Sequence, residues 1–265
     1  MNAQKVSLIM SVYNGEAFLE ETINSVLKQT FADFEFVIVN DGSTDKSLEI
    51  INQFIAKDSR VKVVNNVKNI GLTKSLNIGI QHSIGEYIAR LDAGDFSYPQ
   101  RFEEQVKFLD QNQDVGLVGS WAYVVDESRN KLKELKYPLN DKEIKKSLIK
   151  YNPFVHSSIM FRKSVVSQIE FYNTDYFYAQ DYELYFRLWP YTQFANIPSF
   201  LVEYRRYSES ITSTKNKEQV LFANKSRKYA IEKGYYKKYN YVYIFKNYLV
   251  SLIPTRLKFF IKKFI

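Results

Sequence analysis

Cysteine is absent from all 265 residues. That excludes disulfides, thiolate metal sites and cysteine nucleophiles. Histidine is almost as scarce: His82 and His156 are the whole complement, which leaves little room for an imidazole metal site. No stretch reaches the roughly 20 apolar residues of a membrane span. The opening apolar run, Val6–Val12, is too short for a signal peptide, so a cytoplasmic location is expected. Glycine-rich phosphate cradles are missing too. Neither GxGxxG nor GxxxxGKS/T occurs, so any nucleotide is held in another way. There are no internal repeats and no low-complexity linkers.

What is present is an uneven charge. The chain has 37 Lys+Arg against 29 Asp+Glu, a net of +8. Residues 211–265 hold 13 basic and 2 acidic residues, a net of +11, so residues 1–210 carry a net of −3. This is a slightly acidic body with a basic tail, not a uniformly basic nucleic-acid binder. At 45% hydrophobic and 25% charged the chain is globular, with length for one large domain or two small ones.

The first half alternates strand and helix signals. Val6–Val12 and Phe34–Asn40 are nearly continuous β-rich runs, as in strands buried on both faces. Further strands are predicted at 61–64, 86–91 and 115–119. Helical spacing appears at 16–29, 44–56, 72–83 and 99–110, the last with Pro99 near its first turn. This rhythm predicts a mostly parallel α/β sheet flanked by helices. Ligands in such sheets sit beyond the carboxyl ends of the strands. The residues there are Ser11 to Gly15, Asn40 to Asp45, and Asp92 to Asp95.

Each of these sites has two readings. Asp41 ends a strand before Gly42, where it can accept bonds from a base or ribose; it can equally belong to a tight βα turn capped by Ser43 or Thr44. Asp92 and Asp95 form an oxygen pair suited to Mg²⁺ or Mn²⁺, or they cap the helix that follows. Asp181 opens a predicted helix at 181–188. There it is either a general base at the edge of a buried face or a plain first-turn carboxylate. His156 sits among apolar residues and reads as a hydrogen-bonded core histidine. Arg205 and Arg206 could meet phosphate or simply be surface charge.

Four segments together resemble glycosyltransferase family 2, the inverting nucleotide-sugar transferases with the GT-A fold. They are VSLIMSVYNGEAFLEETINSVLKQTF, EFVIVNDGSTD, NVKNIGLTKSLNIGIQHSIGEYIARLDAGD and AQDYELYFRL, in the family's order over about 5–210. The resemblance implies that Ser11, Tyr13, Asp41, Asn69 and Asp92 hold a nucleotide-sugar donor, UDP-linked as the commonest guess. It implies a divalent metal, Mn²⁺ or Mg²⁺, at Asp92 and Asp95, and a catalytic base at Asp181. It further implies a saccharide or polyprenyl-linked acceptor in bacterial surface-polysaccharide synthesis. Three positions depart from the pattern. Gly94 stands where a carboxylate is usual, Gln180 replaces a glutamate, and Tyr207 replaces a histidine. Gly94 and Gln180 motivate an alternative, a non-catalytic nucleotide-sugar-binding or scaffold protein of the same fold.

The expected organisation is a catalytic domain at 1–210, split into a donor half (1–95) and an acceptor half (96–210), followed by a helical tail at 211–265. From 237 to 265 there are seven basic residues and no acids, interleaved with Tyr239, Tyr241, Tyr243, Phe245, Tyr248, Phe259, Phe260 and Phe264. This pattern fits an interfacial segment on anionic lipid, which predicts a peripheral protein on the inner face of the cell membrane. The other reading is a helical extension packed on the body with solvated lysines.

Overall fold

A strand that is apolar on both faces needs cover on both sides, and the first two strands obtain it. A computed structural model describes residues 4–207 and 215–252. In it β1 (Val6–Val12), β2 (Phe34–Asn40), β3 (Val61–Asn65) and β4 (Tyr87–Arg90) lie parallel in the order β3–β2–β1–β4. The connections are α1 (Glu16–Leu27), α2 (Ser47–Ile55) and α3 (Leu72–His82). Leu8, Met10, Phe36 and Ile38 pack with Leu19 and Ile23 of α1 and Ile51 of α2 in one core. Ile9 and Val37 turn to the opposite face, against Leu76 and Ile80 of α3. Glu35 interrupts the β2 run and is fully buried. Its carboxylate accepts bonds from Ser7 Oγ (2.5 Å), Ile84 N (2.7 Å) and Lys62 Nζ (2.6 Å).

The second half turns the sheet mixed. It contains β5 (Phe96–Ser97), α4 (Arg101–Gln111), β6 (Val115–Val125), β7 (Lys131–Leu135), α5 (Asp141–Leu148), β8 (Met160–Arg162), α6 (Lys163–Ser167), α7 (Gln180–Leu188) and β9 (Gln193–Arg205). The sheet continues from β4 through β8, β6 and β9 to β5, with β7 paired to β6. β8 is antiparallel to both neighbours, while β6 and β9 run parallel. β6 extends well past the predicted 115–119. In its second part half-exposed Trp121 and Tyr123 alternate with buried Ala122 and Val124, a half-buried pattern distinct from the apolar run before it. Register shifts around Ser120–Ala122 bend the strand there.

Two local expectations are corrected. α2 begins at Ser47, not near Thr44, and neither Ser43 nor Thr44 caps it. Those hydroxyl residues tie two strand-tip loops together instead. Asn14 N donates to Ser43 Oγ (3.1 Å), and Thr44 N donates to Asn14 Oδ1 (2.8 Å). The tail also divides. α8 (Asn216–Glu232) lies against α7, and Arg227 Nε donates to the Ile149 carbonyl (2.9 Å). Just beyond α8, Tyr235 stacks on Trp189 with centroids 5.2 Å apart. α9 (Tyr241–Leu252) rests on α8 and leaves Val242, Phe245 and Leu249 exposed. No helix among the described residues is long and apolar enough to cross a membrane. The tail residues from 253 to 265, including Arg256, Lys258, Phe259 and Lys262, lie outside the described residues.

Candidate active site

The strand tips of β1, β2 and β4 converge because the three strands are parallel neighbours in register. Ser11 is half-buried near the end of β1, and Tyr13 just beyond it is 51% exposed. Asp41 follows β2 and is buried. Its Oδ1 accepts from Asn66 Nδ2 (2.8 Å) and Ile70 N (3.0 Å), and its Oδ2 accepts from Gly71 N (2.9 Å). The carboxylate thus shapes the 66–71 loop. Gly42 makes that approach feasible: its φ is +71°, and a Cβ there would lie 2.5 Å from the Lys68 carbonyl carbon. Asn69 lies in the same loop with its side chain exposed.

Asp92 follows β4, and its side chain is 38% exposed. Arg90, inside β4 and buried, grips it with both terminal nitrogens; Nη1 lies 2.5 Å from Oδ2. Asp95 is 4% exposed, and its Oδ1 accepts from Arg205 N (2.8 Å). Ser157, in the 3₁₀ turn His156–Ser158, joins the two carboxylates. Its Oγ donates to Asp95 Oδ2 and lies 3.3 Å from Asp92 Oδ2. Burial and the Asp92 charge push the Asp95 carboxyl up to about 7.

Among the described residues no three His, Cys, Asp or Glu side chains gather to hold an ion. Asp92 and Asp95 are hard oxygen donors of the right chemistry for Mg²⁺ or Mn²⁺. A carboxylate has about four acceptor directions, and Arg90 takes the inner side of Asp92, leaving its solvent side. The set fits an ion that arrives with phosphate oxygens and takes one accessible carboxylate, not a protein cage.

Asp181 sits in the first turn of α7, behind Ala179 at φ +51°. Its Oδ2 accepts from Asn152 Nδ2 (2.7 Å). Burial pushes its carboxyl above the ordinary range; the Tyr182 backbone N–H, Asn152 and the Arg90 charge oppose that. Arg90 is bonded to Asp92, and its charge also favours the ionised form of Asp181. His156 is half-buried and hydrogen-bonded, its Nε2 2.8 Å from the Tyr172 hydroxyl; burial and the Arg90 charge lower its pKa. Arg205 is not placed to meet phosphate: it is 3% exposed and paired with Glu21 of α1. Arg206 is exposed.

Sequence reasoning missed Arg90, Asn152 and Ser157. A lone cation in the apolar run YIARL was a signal, since a buried guanidinium needs a partner. Asn152 and Ser157 had none; their partners lie 29 and 62–65 residues away.

The chain resembles known proteins in sequence and in fold. Residues 7–170 match Glycosyl transferase family 2. An uncharacterized glycosyltransferase of Methanocaldococcus jannaschii is 34% identical over 261 residues, covering 96% of this chain and 88% of its own. The O-antigen biosynthesis glycosyltransferase WbnJ of Escherichia coli is 33% identical over 210 residues, covering 77% and 81%. Among solved structures, S. aureus TarS 1-349 in complex with UDP-GlcNAc superposes with a TM-score of 0.69 at 18% identity. That match covers 84% of this chain and 66% of the TarS chain. The mannosyltransferase PcManGT of Pyrobaculum calidifontis, in complex with GDP-Man and Mn²⁺, also gives 0.69, at 16% identity, covering 93% and 69%. The chain belongs to glycosyl transferase family 2 and is a glycosyltransferase with the GT-A fold.

Proposed function

We propose that the chain transfers a sugar from a nucleotide-diphosphate sugar to a hydroxyl of a saccharide or lipid-linked saccharide, with inversion, in surface-polysaccharide synthesis. The observation that carries this reading is the Arg90 clamp: it holds the half-exposed carboxylate of Asp92 at the tip of β4, and its charge also favours the ionised form of Asp181. The structural neighbours named above hold UDP-GlcNAc or GDP-Man, and WbnJ is named for O-antigen synthesis. Those names motivate the donor class and the pathway class.

Each residue then has a task. Ser11, Tyr13 and the Asp41–Asn69 loop hold base and ribose at the tips of β1 and β2. Asp92 faces the diphosphate, with Asp95 behind it. A divalent ion held from Asp92 would offset charge on the departing nucleotide diphosphate. Asp181 takes the proton from the acceptor hydroxyl while that oxygen attacks the anomeric carbon from the face opposite the nucleotide. A raised carboxyl pKa strengthens it as a base, provided it remains ionised at working pH. Positioning contributes up to about 7–11 kcal/mol in well-oriented reactions.

The membrane-facing part is 237–265, since α8 packs on the body. Exposed Val242, Phe245 and Leu249 would enter the headgroup boundary of the inner leaflet, with Lys237, Lys238 and Lys246 toward anionic lipid. Each lysine near such a surface adds about 1 kcal/mol.

The test is a thermal-shift screen of UDP-, GDP- and dTDP-sugars with and without Mn²⁺, followed by nucleotide release from the best donor. Asp181→Asn is expected to keep the donor-induced shift and lose at least about 100-fold in turnover. Full turnover in that variant removes Asp181 from the mechanism. A donor-induced shift with no release by the wild type favours the scaffold reading.

A further inference from the structure

Ser157 belongs to the half of the chain that carries Asp181, yet its hydroxyl sits among the donor-side carboxylates. A hydroxyl has one proton to give and two lone pairs to accept with. All three are committed here. Arg90 Nη1 donates to Ser157 Oγ (3.1 Å), the Asp92 backbone N–H donates to it (3.1 Å), and its own proton goes to Asp95 Oδ2. The side chain is 1% exposed, so no water substitutes for these bonds without opening the fold. The turn that carries it is itself pinned: Ser158 Oγ donates to the Val155 carbonyl (2.8 Å) and accepts from Ser120 N (3.3 Å). Asp92 is therefore held at two points, its backbone by Ser157 and its carboxylate by Arg90, and Arg90 is in turn held by Ser157. Gly94, at φ +111°, adds no side chain to this array. The accessible acid of the donor side is thus the one that Ser157 orients.

We propose that Ser157 is the positioning residue that fixes Asp92 toward the donor diphosphate and any cation accompanying it. The proposal rests on the function proposed above and names a residue that the motifs do not contain. Outer-shell partners of a ligating carboxylate typically influence affinity or activity about 10–100-fold when removed. Ser157→Ala removes the hydroxyl from a rigid turn, leaves the Asp92 N–H without its partner and frees the Arg90 clamp to shift.

The experiment compares wild type, Ser157→Ala, Ser157→Thr and Ser158→Ala. Donor KM and kcat are measured by nucleotide release, using the nucleotide sugar that the wild type turns over. Mn²⁺ binding is measured separately, by electron paramagnetic resonance of free Mn²⁺ in the presence of the matching nucleoside diphosphate. Ser157→Ala is expected to raise donor KM and weaken Mn²⁺ binding, each about 10–100-fold, with a smaller change in kcat. Ser157→Thr, which keeps a hydroxyl, is expected to recover most of both. Ser158→Ala loosens the same turn without touching Asp92, and is expected to lower the melting temperature while leaving donor KM in place. Wild-type KM and Mn²⁺ affinity in Ser157→Ala would overturn the proposal, as would equal KM changes in Ser157→Ala and Ser158→Ala. A KM change with no Mn²⁺ binding by the wild type would keep Ser157 and overturn the cation. Absence of wild-type turnover with every donor would overturn the functional reading beneath, and this inference with it.

Discussion

Removing the side-chain amide of Asn152 is expected to move the acid limb of the pH–rate profile upward. Asn152 Nδ2 donates to Asp181 Oδ2 at 2.7 Å, a bond that favours the ionised carboxylate. Hydrogen bonds to charged groups contribute about 1.5–3 kcal/mol, the low end suiting a half-buried pair. One pH unit corresponds to about 1.4 kcal/mol, so Asn152→Ala raises the Asp181 pKa by about one unit. The sign follows from the role: below its pKa the base carries a proton and cannot accept another. The acid limb of kcat/KM therefore shifts about one unit toward higher pH, while the alkaline plateau keeps its height. Asn152 Oδ1 also accepts from Phe154 N (3.1 Å), so Asn152→Asp is the informative companion. It retains that acceptor, loses the donor and adds a like charge beside Asp181, so its limb is expected to lie higher still. The assay is nucleotide release between pH 5 and 9, with Asp181→Asn as the baseline and melting curves to establish folding. A lowered plateau with an unmoved limb in both variants would refute a general base at Asp181.

Three further outcomes follow from particular contacts. Asp95 titrates near 7 when folded, so it holds a proton that the unfolded chain has already released; its contribution to stability is present below about pH 4 and is lost as pH rises through about 7. In chelator, Asp95→Asn is thus expected to gain melting temperature relative to wild type as pH rises from 4 to 8, by several degrees, and a pH-independent difference would contradict this. Gly42→Ala forces a left-handed residue, costing about 1–2 kcal/mol, and drives a methyl group into the Lys68–Asn69 backbone. At about 2–4 °C per kcal/mol the melting temperature drops by at least about 2–8 °C and donor affinity falls with it; unchanged melting would show that the loop is not fixed as described. Val242→Glu with Phe245→Glu is expected to abolish co-sedimentation with anionic phosphatidylglycerol vesicles without altering turnover of a soluble acceptor, and undiminished sedimentation would dismiss α9 as the contact.

Legibility in the sequence followed the range of the interaction. β1 and β2 were readable because a helix layer on each face leaves most positions apolar from Val6 to Val12 and from Phe34 to Val39, with Ser7, Ser11 and Glu35 the exceptions. Their carboxyl ends then located Asp41, and the end of β4 located Asp92. β9 and the outer part of β6 were not readable, since both bend through register shifts and mix buried with half-exposed aromatics. The Ser157 and Arg90 contacts form because the β4–β8 pairing brings residues 87–95 beside residues 157–162, and Asn152 meets Asp181 across 29 residues. Such pairs leave no periodicity, so neither motif nor moment could reveal them.

Asp41 shows why a motif match and a contact list answer different questions. Its oxygens already accept three N–H bonds, two on Oδ1 and one on Oδ2. A carboxylate offers about four acceptor directions, so one remains, on the oxygen bonded to Gly71. A nucleotide base donor can use that direction without displacing any bond. The three internal bonds hold the carboxylate before a ligand arrives, so its ordering is not charged against binding. An Asp41→Asn variant separates the two tasks. Its amide can retain one oxygen acceptor but turns a donor toward the loop or the base, so loop stability and nucleotide affinity should fall together. Loss of affinity with an undisturbed melting temperature would mean that the bonds from Asn66, Ile70 and Gly71 to Asp41 do not fix the 66–71 loop.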